Sequence, residues 1–444
     1  MIKYHMKGGI KMMKNVKVRF TEKNLTGNAG LVLLGRFIQK IGLSDLLSNL
    51  ISIERASNAE YQAKDVVIML IMAVLAGAKH MSHVMIIRAD STLRIIFNWD
   101  KFPVDSSFSR IFKLFTHCHC NEFSEIESAV RKKVWGKKWF GRITFDMDST
   151  VNGVFGSQEG AVKGYNPKKK GQNSYHPLLC FIAENRECLH NWFRTGNAYS
   201  ANGCVDFMKE CFAKIPKRVW KIFVRADSAF FCGNLLDLLE ESHCGYTIKV
   251  KMKGLTALLE SQKWKKIRSL PGFESTEFEY KCKDWSKLRR FVAVRQIIEP
   301  EPEIENELVS VQKVEYHYFC YVSNMKKSPW GTHKYYGKRS TSENWIDWAK
   351  NQMAAGSILT NNFWANSAIF QTCILAYNLM AWMMWLNSDK GFREEPYTIR
   401  LYLIRVPGRL IYRGRQWFLK LEKNFFFKPK WLKIEKSIAQ LDFS

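Results

Sequence analysis

The order of strand and helix patterns after Gly141 limits this chain to a small set of folds. Three short segments rich in branched and aromatic residues come first, and helix, strand, helix and strand patterns follow. The strand patterns read RITFDMDST, HPLLCFIAE, CLHNWFRTG, KIFVRADS and YTIKVKMK, with helices predicted at 201–214 and near 234–241. Such an alternation predicts an α/β domain with a mixed sheet.

The segments around this domain have different textures. Residues 24–138 carry apolar residues at three- and four-residue steps, which predicts helices. Residues 254–324 are strand-like and polar, with an acidic turn at 299–305, and the helical pattern returns at Ser340. Three strands followed by alternating helix and strand are typical of a ribonuclease H-like core, here interrupted by a β-rich insertion.

We therefore predict an all-α N-terminal domain, a ribonuclease H-like mixed sheet with a β-rich insertion, and a helical basic C-terminal region. A helical N-terminal domain suits DNA binding or a purely structural role, and periodicity does not choose between them. The predicted regions are a helical DNA-binding domain at 1–140, the first part of the core at 141–253, the insertion at 254–325, the second part of the core at 326–390, and the basic region at 391–444.

Charge indicates the class of partner. Lys and Arg total 68 against 41 acidic residues, a net charge of +27, and such an excess usually means a polyanionic partner, most often nucleic acid. A solvated basic surface or anionic lipid are the alternatives. From Arg400 onward, 11 basic residues face three acidic ones with aromatic residues between them, which suits DNA contact or a packed basic helix equally.

Two other features have simple interpretations. The 11 cysteines show no repeated spacing, which is typical of reduced thiols in a cytosol, and His117-Cys118-His119-Cys120 lacks the distant second pair of a zinc site. Residues 367–386 are long enough to span a bilayer, but Gln371 and Asn378 favour a buried core helix.

Aspartates end two of the predicted strands. The strand period of two puts Asp146 and Asp148 on one face of the first strand, while Arg225 and Asp227 share a face of the fourth. A single strand-end aspartate is more often a turn cap. Carboxylates that meet at the ends of adjacent strands, with one more from a helix, make an oxygen-rich site suited to two Mg²⁺ ions.

A spaced set of four residues lies further along the chain. Tyr336, Arg339, Glu343 and Lys350 are separated by 3, 4 and 7 residues. Two ordinary interpretations compete with a functional one. Residues 340–343 read as a capping box, in which Glu343 bonds back to the helix start, and Arg339 and Glu343 have the spacing of a surface ion pair.

Taken together, these motifs resemble those of the DDE transposases of bacterial insertion sequences, in the branch with the YREK signature. The DST-type motif is matched by Asp148-Ser149-Thr150, the second acid by Asp227-Ser228-Ala229-Phe230, and Y-x2-R-x3-E-x6-K by Tyr336, Arg339, Glu343 and Lys350. The resemblance covers most of the chain. It implies a ribonuclease H-like core with a strand insertion before the last acid.

The resemblance also implies roles. Asp148, Asp227 and Glu343 would be the catalytic triad that binds two Mg²⁺ or Mn²⁺ ions, while Tyr336, Arg339 and Lys350 would hold DNA phosphates. The enzyme would cleave DNA and transfer strands, with double-stranded transposon ends and target DNA as partners, in a homodimeric synaptic complex. It would be cytoplasmic and nucleoid-associated in a bacterium, without a membrane partner.

A basic turn between the first two core strands is a further candidate for DNA contact. The segment KGYNPKKK contributes Lys163, Lys168, Lys169 and Lys170. A solvated turn is the alternative, because Gly, Asn and Pro favour turns. His176 and His333 can assist chemistry or phosphate binding, although lone histidines are usually structural.

Two other functions remain open from the sequence. A ribonuclease H-like DNA nuclease would need the acids but no recognition of transposon ends. A domesticated, non-catalytic DNA-binding protein would need neither, and the three intact acids argue against it.

Overall fold

A computed structural model describes residues 16–166, 169–298 and 315–443. The basic residues among the first 15, Lys168 and the acidic run 299–305 lie outside the described residues.

Helices make up most of the N-terminal third and return after the strands. The α-helices are α1 Leu31–Ile41, α2 Leu43–Leu50, α3 Ala63–Ala76, α4 Met85–Arg88, α5 Ser91–Ile96, α6 Asp105–Phe112, α7 His117–Lys137, α8 Cys204–Ala213, α9 Gly233–Glu241, α10 Leu255–Glu260, α11 Pro329–Gly337, α12 Ser340–Asp347, α13 Phe363–Asn387, α14 Pro396–Ile399 and α15 Lys428–Gln440. Short 3₁₀ turns lie at Met81–Val84 and Ser228–Phe230, and π-helical turns at Trp348–Gln352 and Arg400–Ile404.

The strands form one large sheet and two small ones. They are β1 Leu25–Thr26, β2 Arg142–Ser149, β3 Asn152–Gly153, β4 Val162–Lys163, β5 Asn173–Tyr175, β6 Leu178–Ile182, β7 Cys188–Trp192, β8 Lys221–Ala226, β9 Gly245–Lys249, β10 Lys265–Lys266, β11 Phe273–Tyr280, β12 Arg289–Ile298, β13 Glu315–Ser323, β14 Gly408–Arg413 and β15 Gln416–Leu421.

The large sheet is mixed and has nine strands in the described part of the chain. Its order is β10-β11-β12-β13-β9-β8-β2-β6-β7. The central strands β2, β8 and β9 run parallel, and the other pairs are antiparallel. The α/β class with a mixed sheet predicted from the strand order is therefore confirmed.

The β-rich segment predicted as an insertion extends the same sheet. Strand β13 pairs antiparallel with β9 through Tyr321, Val322 and Ser323, so β10 to β13 continue the core sheet at its edge. Helix α11 then leads the chain back over this extension toward α12.

The long apolar helix α13 runs through the core. By length and composition it could cross a membrane, and 94% of its apolar window is buried inside the structure. Its polar residue Asn378 is fully buried, where it accepts a hydrogen bond from Cys188 N at 2.8 Å and donates one to Cys188 O at 2.9 Å. The helix thereby satisfies the backbone of the edge strand β7, as suits a core helix.

The C-terminal region differs from the helical one predicted. Strands β14 and β15 form a hairpin, and β1 pairs with β14 to make a three-stranded sheet. Helices α14 and α15 flank this hairpin, so the region is helical only in part, and the hairpin was missed because its turn signal is short. Gly414 and Arg415 both have positive φ, +58° and +60°, which is the backbone of a two-residue hairpin turn.

Candidate active site

Two aspartates lie side by side at one edge of the large sheet. In the parallel pair β2 and β8, Met147 is opposite Ala226, so Asp148 and Asp227 leave the strands at the same edge. Asp227 also caps the 3₁₀ turn that follows it, accepting a hydrogen bond from Ala229 N at 2.9 Å. The turn-cap interpretation of Asp227 is therefore correct, and the cap fixes the direction of the carboxylate.

Asp148 is the most perturbed of these carboxylates. Its Oδ1 accepts from Ser149 N at 2.9 Å, and its Oδ2 lies 2.7 Å from Arg339 Nη2. Burial raises the pKa of Asp148 to about 6; Arg339 opposes this rise, and the nearby Asp227 and Glu343 carboxylates add to it. The strand end thus concentrates negative charge in a poorly hydrated place, which a cation would relieve.

Asp146 has a different role, although it shares a face of β2 with Asp148. It is fully buried and receives two hydrogen bonds from Arg225, Nε to Oδ1 at 2.7 Å and Nη2 to Oδ2 at 2.6 Å. Arg225 also donates to the Tyr335 carbonyl at 3.0 Å, which ties α11 to the sheet. Asp146 is therefore the buried partner of Arg225.

Glu343 lies in the first turn of α12, but the expected capping box does not form. The cap position is Arg339 in helical conformation, with no side-chain cap hydrogen bond. The chain reaches α12 almost directly from α11, so the hydroxyl of Ser340 bonds back to the Gly337 carbonyl at 2.9 Å instead. The Glu343 side chain is 69% exposed and its Oε1 lies 3.9 Å from Arg339 Nη1, so the ion-pair interpretation is present as a long contact.

Arg339 connects the carboxylates. It is 94% buried and contacts Asp148 more closely than Glu343. Its Nε and Nη2 have no hydrogen-bond acceptor among residues 16–166, 169–298 and 315–443, because the approach to Asp148 is an ion contact without hydrogen-bond alignment. The Asp148 carboxylate therefore balances the charge of this guanidinium without satisfying its Nε–H and Nη2–H groups, and buried donors without acceptors are costly.

The other two residues of the spaced set surround the same place. Tyr336 contacts Tyr321 at a tilt of 42° with ring centroids 4.6 Å apart. Burial raises the pKa of Tyr336 to about 12, with Arg339 opposing and the aspartates adding to the rise. Lys350 lies in the π-helical turn after α12 and donates a hydrogen bond to the Val151 carbonyl. Such turns are frequent at functional sites because they redirect a side chain.

A cleft of about 720 Å³ opens at this edge of the sheet. Asp148, Asp227, Lys350 and Lys169 line it, whereas Glu343 does not. Lys169 lies in the loop between β4 and β5 of the small sheet formed by β3, β5 and β4. Its Nζ is 5.4 Å from the centroid of the Phe155 ring.

Of the other predicted contacts, Lys163 ends β4 and Lys170 follows Lys169, and both are exposed outside the cleft lining. His176 lines the cleft, but its ring is bonded to the Ala198 carbonyl and to Ser149 Oγ, and burial lowers its pKa. His333 bonds the Tyr321 hydroxyl at 3.0 Å and stacks on Trp330.

Sequence reasoning missed two parts of the lining. Lys251 follows β9, the third parallel strand, and reaches the same cleft as Asp148 and Asp227. The strand-end argument applied to YTIKVKMK would have found it. Ser200, whose Oγ lies 2.7 Å from Ser149 Oγ, belongs to a loop without regular structure, and no local pattern marks it.

The carboxylate oxygens of Asp148, Asp227 and Glu343 suit a hard divalent cation, although these side chains do not converge on one point. Within the described ranges, no three His, Cys, Asp or Glu residues lie close enough together to hold a metal ion. Carboxylate oxygens are the ligands that Mg²⁺ prefers, and the pKa of Asp148 is raised mainly by burial and further by the Asp227 and Glu343 carboxylates. Arg339 supplies positive charge to this carboxylate in the present arrangement.

Known proteins similar to this chain are found among solved structures and among protein families. One solved structure, a piggyBac transposase synaptic complex with hairpin DNA, is similar at 13% identity and a TM-score of 0.45, over 84% of this chain and 79% of that one. No curated protein matches the chain. The family model described as transposase DDE domain group 1 matches residues 9–443. Because that match spans nearly the whole sequence, this chain belongs to the DDE transposase domain family.

Proposed function

We propose that this protein is a transposase of the YREK branch, which binds the ends of a bacterial insertion sequence and catalyses metal-dependent DNA cleavage and strand transfer. The observation that carries the proposal is the meeting of Asp148 and Asp227 at adjacent parallel strand ends, with Arg339 of the spaced set 2.7 Å from Asp148. Membership of the transposase family supports it.

The core around this site is proposed to be ribonuclease H-like. Its support is the order β9-β8-β2-β6-β7, in which three strands along the chain are followed by two helix-strand units that pair parallel on the other side of β2. In that arrangement the first and fourth core strands are neighbours, which is why residues far apart in sequence share one edge.

The proposed triad is Asp148, Asp227 and Glu343, with Asp148 and Asp227 contributed by the sheet and Glu343 by α12. These carboxylates would hold Mg²⁺ or Mn²⁺, two ions in all, which would activate water or a 3′-hydroxyl and stabilise the leaving oxygen. Arg339 joins the set, because its guanidinium contacts Asp148 at 2.7 Å and Glu343 at 3.9 Å. Arg339 thus keeps the Glu343 carboxylate near the Asp148 carboxylate.

Phosphate binding is proposed for Arg339 and for the lysines at the cleft. Arg339 has buried donors that lack acceptors in the described part of the chain, which suits a planar guanidinium that receives phosphate oxygens. Lys350 and Lys169 line the cleft beside the aspartates, and Tyr336, outside the cleft lining, packs on Tyr321. Lys163 and Lys170 extend the basic surface along the small sheet, and Lys168 lies outside the described residues.

Double-stranded transposon ends and target DNA are the proposed partners. A net charge of +27 suits the task of holding two duplexes against their mutual repulsion. Synapsis of two ends implies a homodimer, and action on the chromosome implies a cytoplasmic, nucleoid-associated protein. These last points rest on the family resemblance.

The proposal is tested with duplexes that carry the inverted repeats flanking the coding region. Glu343→Gln and Asp227→Asn are expected to reduce Mg²⁺-dependent end cleavage about a hundredfold or more, since even outer partners of metal ligands are worth 10- to 100-fold. Asp347→Asn is the matched control, because it removes an exposed carboxylate one turn further along α12. Chelation of the metal should stop the wild-type reaction.

Three results would contradict the proposal. Undiminished cleavage by Glu343→Gln would remove that residue from the triad. Cleavage of every duplex without preference for the repeats would favour the nuclease function. Binding without cleavage under all metal conditions would favour a non-catalytic DNA-binding protein.

A further inference from the structure

The hairpin formed by residues 408–421, here the C-terminal hairpin, projects an unusual set of side chains. All seven residues from Tyr412 to Phe418 are exposed. Three of them are large aromatic residues, with Tyr412 59%, Trp417 52% and Phe418 46% exposed. Tyr402 and Trp431 of the same tail pack into the fold, whereas Phe426, shortly after the hairpin, is 86% exposed. Exposed rings are therefore concentrated in the hairpin and in the turn that follows it.

The turn of the hairpin is built at a conformational cost. Gly414 and Arg415 occupy its two central positions with φ of +58° and +60°. This turn type favours glycine or asparagine at both positions, because a side chain crowds the backbone when φ is positive. An arginine at the second position is a local conflict, and such conflicts tend to persist where the side chain has a function.

The charge around the turn has one sign. No acidic residue occurs between Pro396 and Leu421. Arg409 pairs with Glu22 at 3.2 Å, but Arg413, Arg415 and Lys420 form no ion pair within the described ranges. The hairpin thus presents exposed cations beside the Tyr412 and Trp417 rings, which contact each other at a tilt of 53° with centroids 4.8 Å apart.

We propose that the C-terminal hairpin is a DNA-binding ribbon, separate from the active-site cleft, that enters a groove of duplex DNA. A two-stranded ribbon fits the major groove, which is about 12 Å wide. Arg413 and Arg415 at the turn contact phosphates, while Tyr412 and Trp417 pack against sugars and base edges. This inference rests on the proposed function for its choice of DNA over an anionic membrane, which basic and aromatic side chains also fit.

The first test measures how binding depends on salt. The double variant Arg413→Ala/Arg415→Ala is compared with Lys265→Ala/Lys266→Ala, which removes two exposed cations from the edge strand β10. The probe is a short fluorescent duplex of random sequence, titrated at several salt concentrations. The hairpin variant is expected to bind about tenfold more weakly and to reduce the slope of log K against log salt by about 2, since each phosphate contact contributes roughly 0.9.

The second test separates a DNA-binding role from a structural one. Arg415→Gly relieves the positive φ, so its melting temperature should rise while its affinity for the duplex falls. A purely structural arginine would give a change in stability with no change in affinity. Trp417→Ala should weaken binding without changing the salt slope, because an uncharged ring releases no counterions.

Several outcomes would overturn the inference. They are an unchanged salt slope in the folded hairpin variant, an equal loss in the Lys265→Ala/Lys266→Ala control, and binding to phosphatidylserine vesicles in place of DNA. Failure of the proposed catalytic function looks different, because the wild-type protein would then bind the duplex with the same salt slope and not cleave it.

Discussion

Replacing Asp146 by asparagine distinguishes a supporting carboxylate from a metal ligand. The substitution keeps the size of the side chain but removes its charge and one acceptor. Both residues of the pair are buried, Asp146 at 0% and Arg225 at 3% exposure, and the bonds of 2.7 and 2.6 Å are two-pronged. Arg225 would be left as a buried cation without its counter-charge.

The expected loss follows from that environment. Removing one partner of a buried ion pair costs about 3–5 kcal/mol. Arg225 keeps its bond to the Tyr335 carbonyl and lies over the Tyr335 ring at 5.1 Å, so partial compensation remains. We therefore expect Asp146→Asn to lower the free energy of unfolding by about 3 kcal/mol, the lower end of that range. A native protein of ordinary stability, about 5–15 kcal/mol, would stay folded.

The assay combines urea unfolding with end cleavage at a temperature where the variant is folded. Asp146→Asn should be destabilised yet retain measurable cleavage. Asp148→Asn should lose cleavage with a smaller loss of stability, because burial already disfavours the charged form of Asp148 and raises its pKa to about 6, although the contact with Arg339 opposes this rise. The reasoning is refuted if Asp146→Asn keeps full stability and loses cleavage. As a further check, Asp146→Leu/Arg225→Met should be more stable than Asp146→Asn, since no buried charge is left unpaired.

Two predictions concern the core. Burial raises the pKa of Glu127 to about 8, so the folded state retains its proton while the unfolded chain ionises near its ordinary value. The contribution of Glu127 to the free energy of unfolding is therefore fully present below the ordinary pKa of a glutamate and is lost as pH rises toward 8. The loss amounts to a few kcal/mol, at about 1.4 kcal/mol per pKa unit. Glu127→Gln should flatten this slope in urea midpoints measured across the range, and an unchanged slope would contradict the assignment. Asn378→Leu should cost about 1–3 kcal/mol in urea unfolding because it removes the acceptor of the Cys188 N–H, while the Cys188 carbonyl keeps its bond from Arg131 Nη2. Gln371→Leu in the same helix should cost less, because it gives up a long bond of 3.5 Å to Ser367 Oγ.

Local periodicity was enough to find the strand ends. The alternation in RITFDMDST and KIFVRADS predicted strands that the structure has as β2 and β8, with Asp148 and Asp227 directly after their apolar parts. Parallel pairing of two such strands then brings their ends together. The same reasoning identified α13 as a core helix, because a polar residue within an apolar run needs a buried partner.

Local periodicity could not predict the contacts between distant segments. Asp146 and Asp148 are equivalent in the pattern of β2, and only Arg225 from β8 separates their environments. The capping box of 340–343 has the right residues, but α11 delivers the chain to α12 in helical conformation and leaves no cap to fill. The C-terminal hairpin depends on a backbone turn with an unfavourable residue, Arg415, and on pairing with β1 near the N-terminus.

The sequence by itself therefore predicts the α/β class and the strand ends, because residue types, spacing and period depend on only a few neighbouring residues. Contacts such as the pairing of a carboxylate, or the exposure of an aromatic ring, depend on partners up to several hundred residues away, as for β1 and β14. Such partners are chosen by packing and burial over the whole fold. For that reason Arg339, which began as one member of a spaced set, became the group that joins Asp148 to Glu343 only in three dimensions.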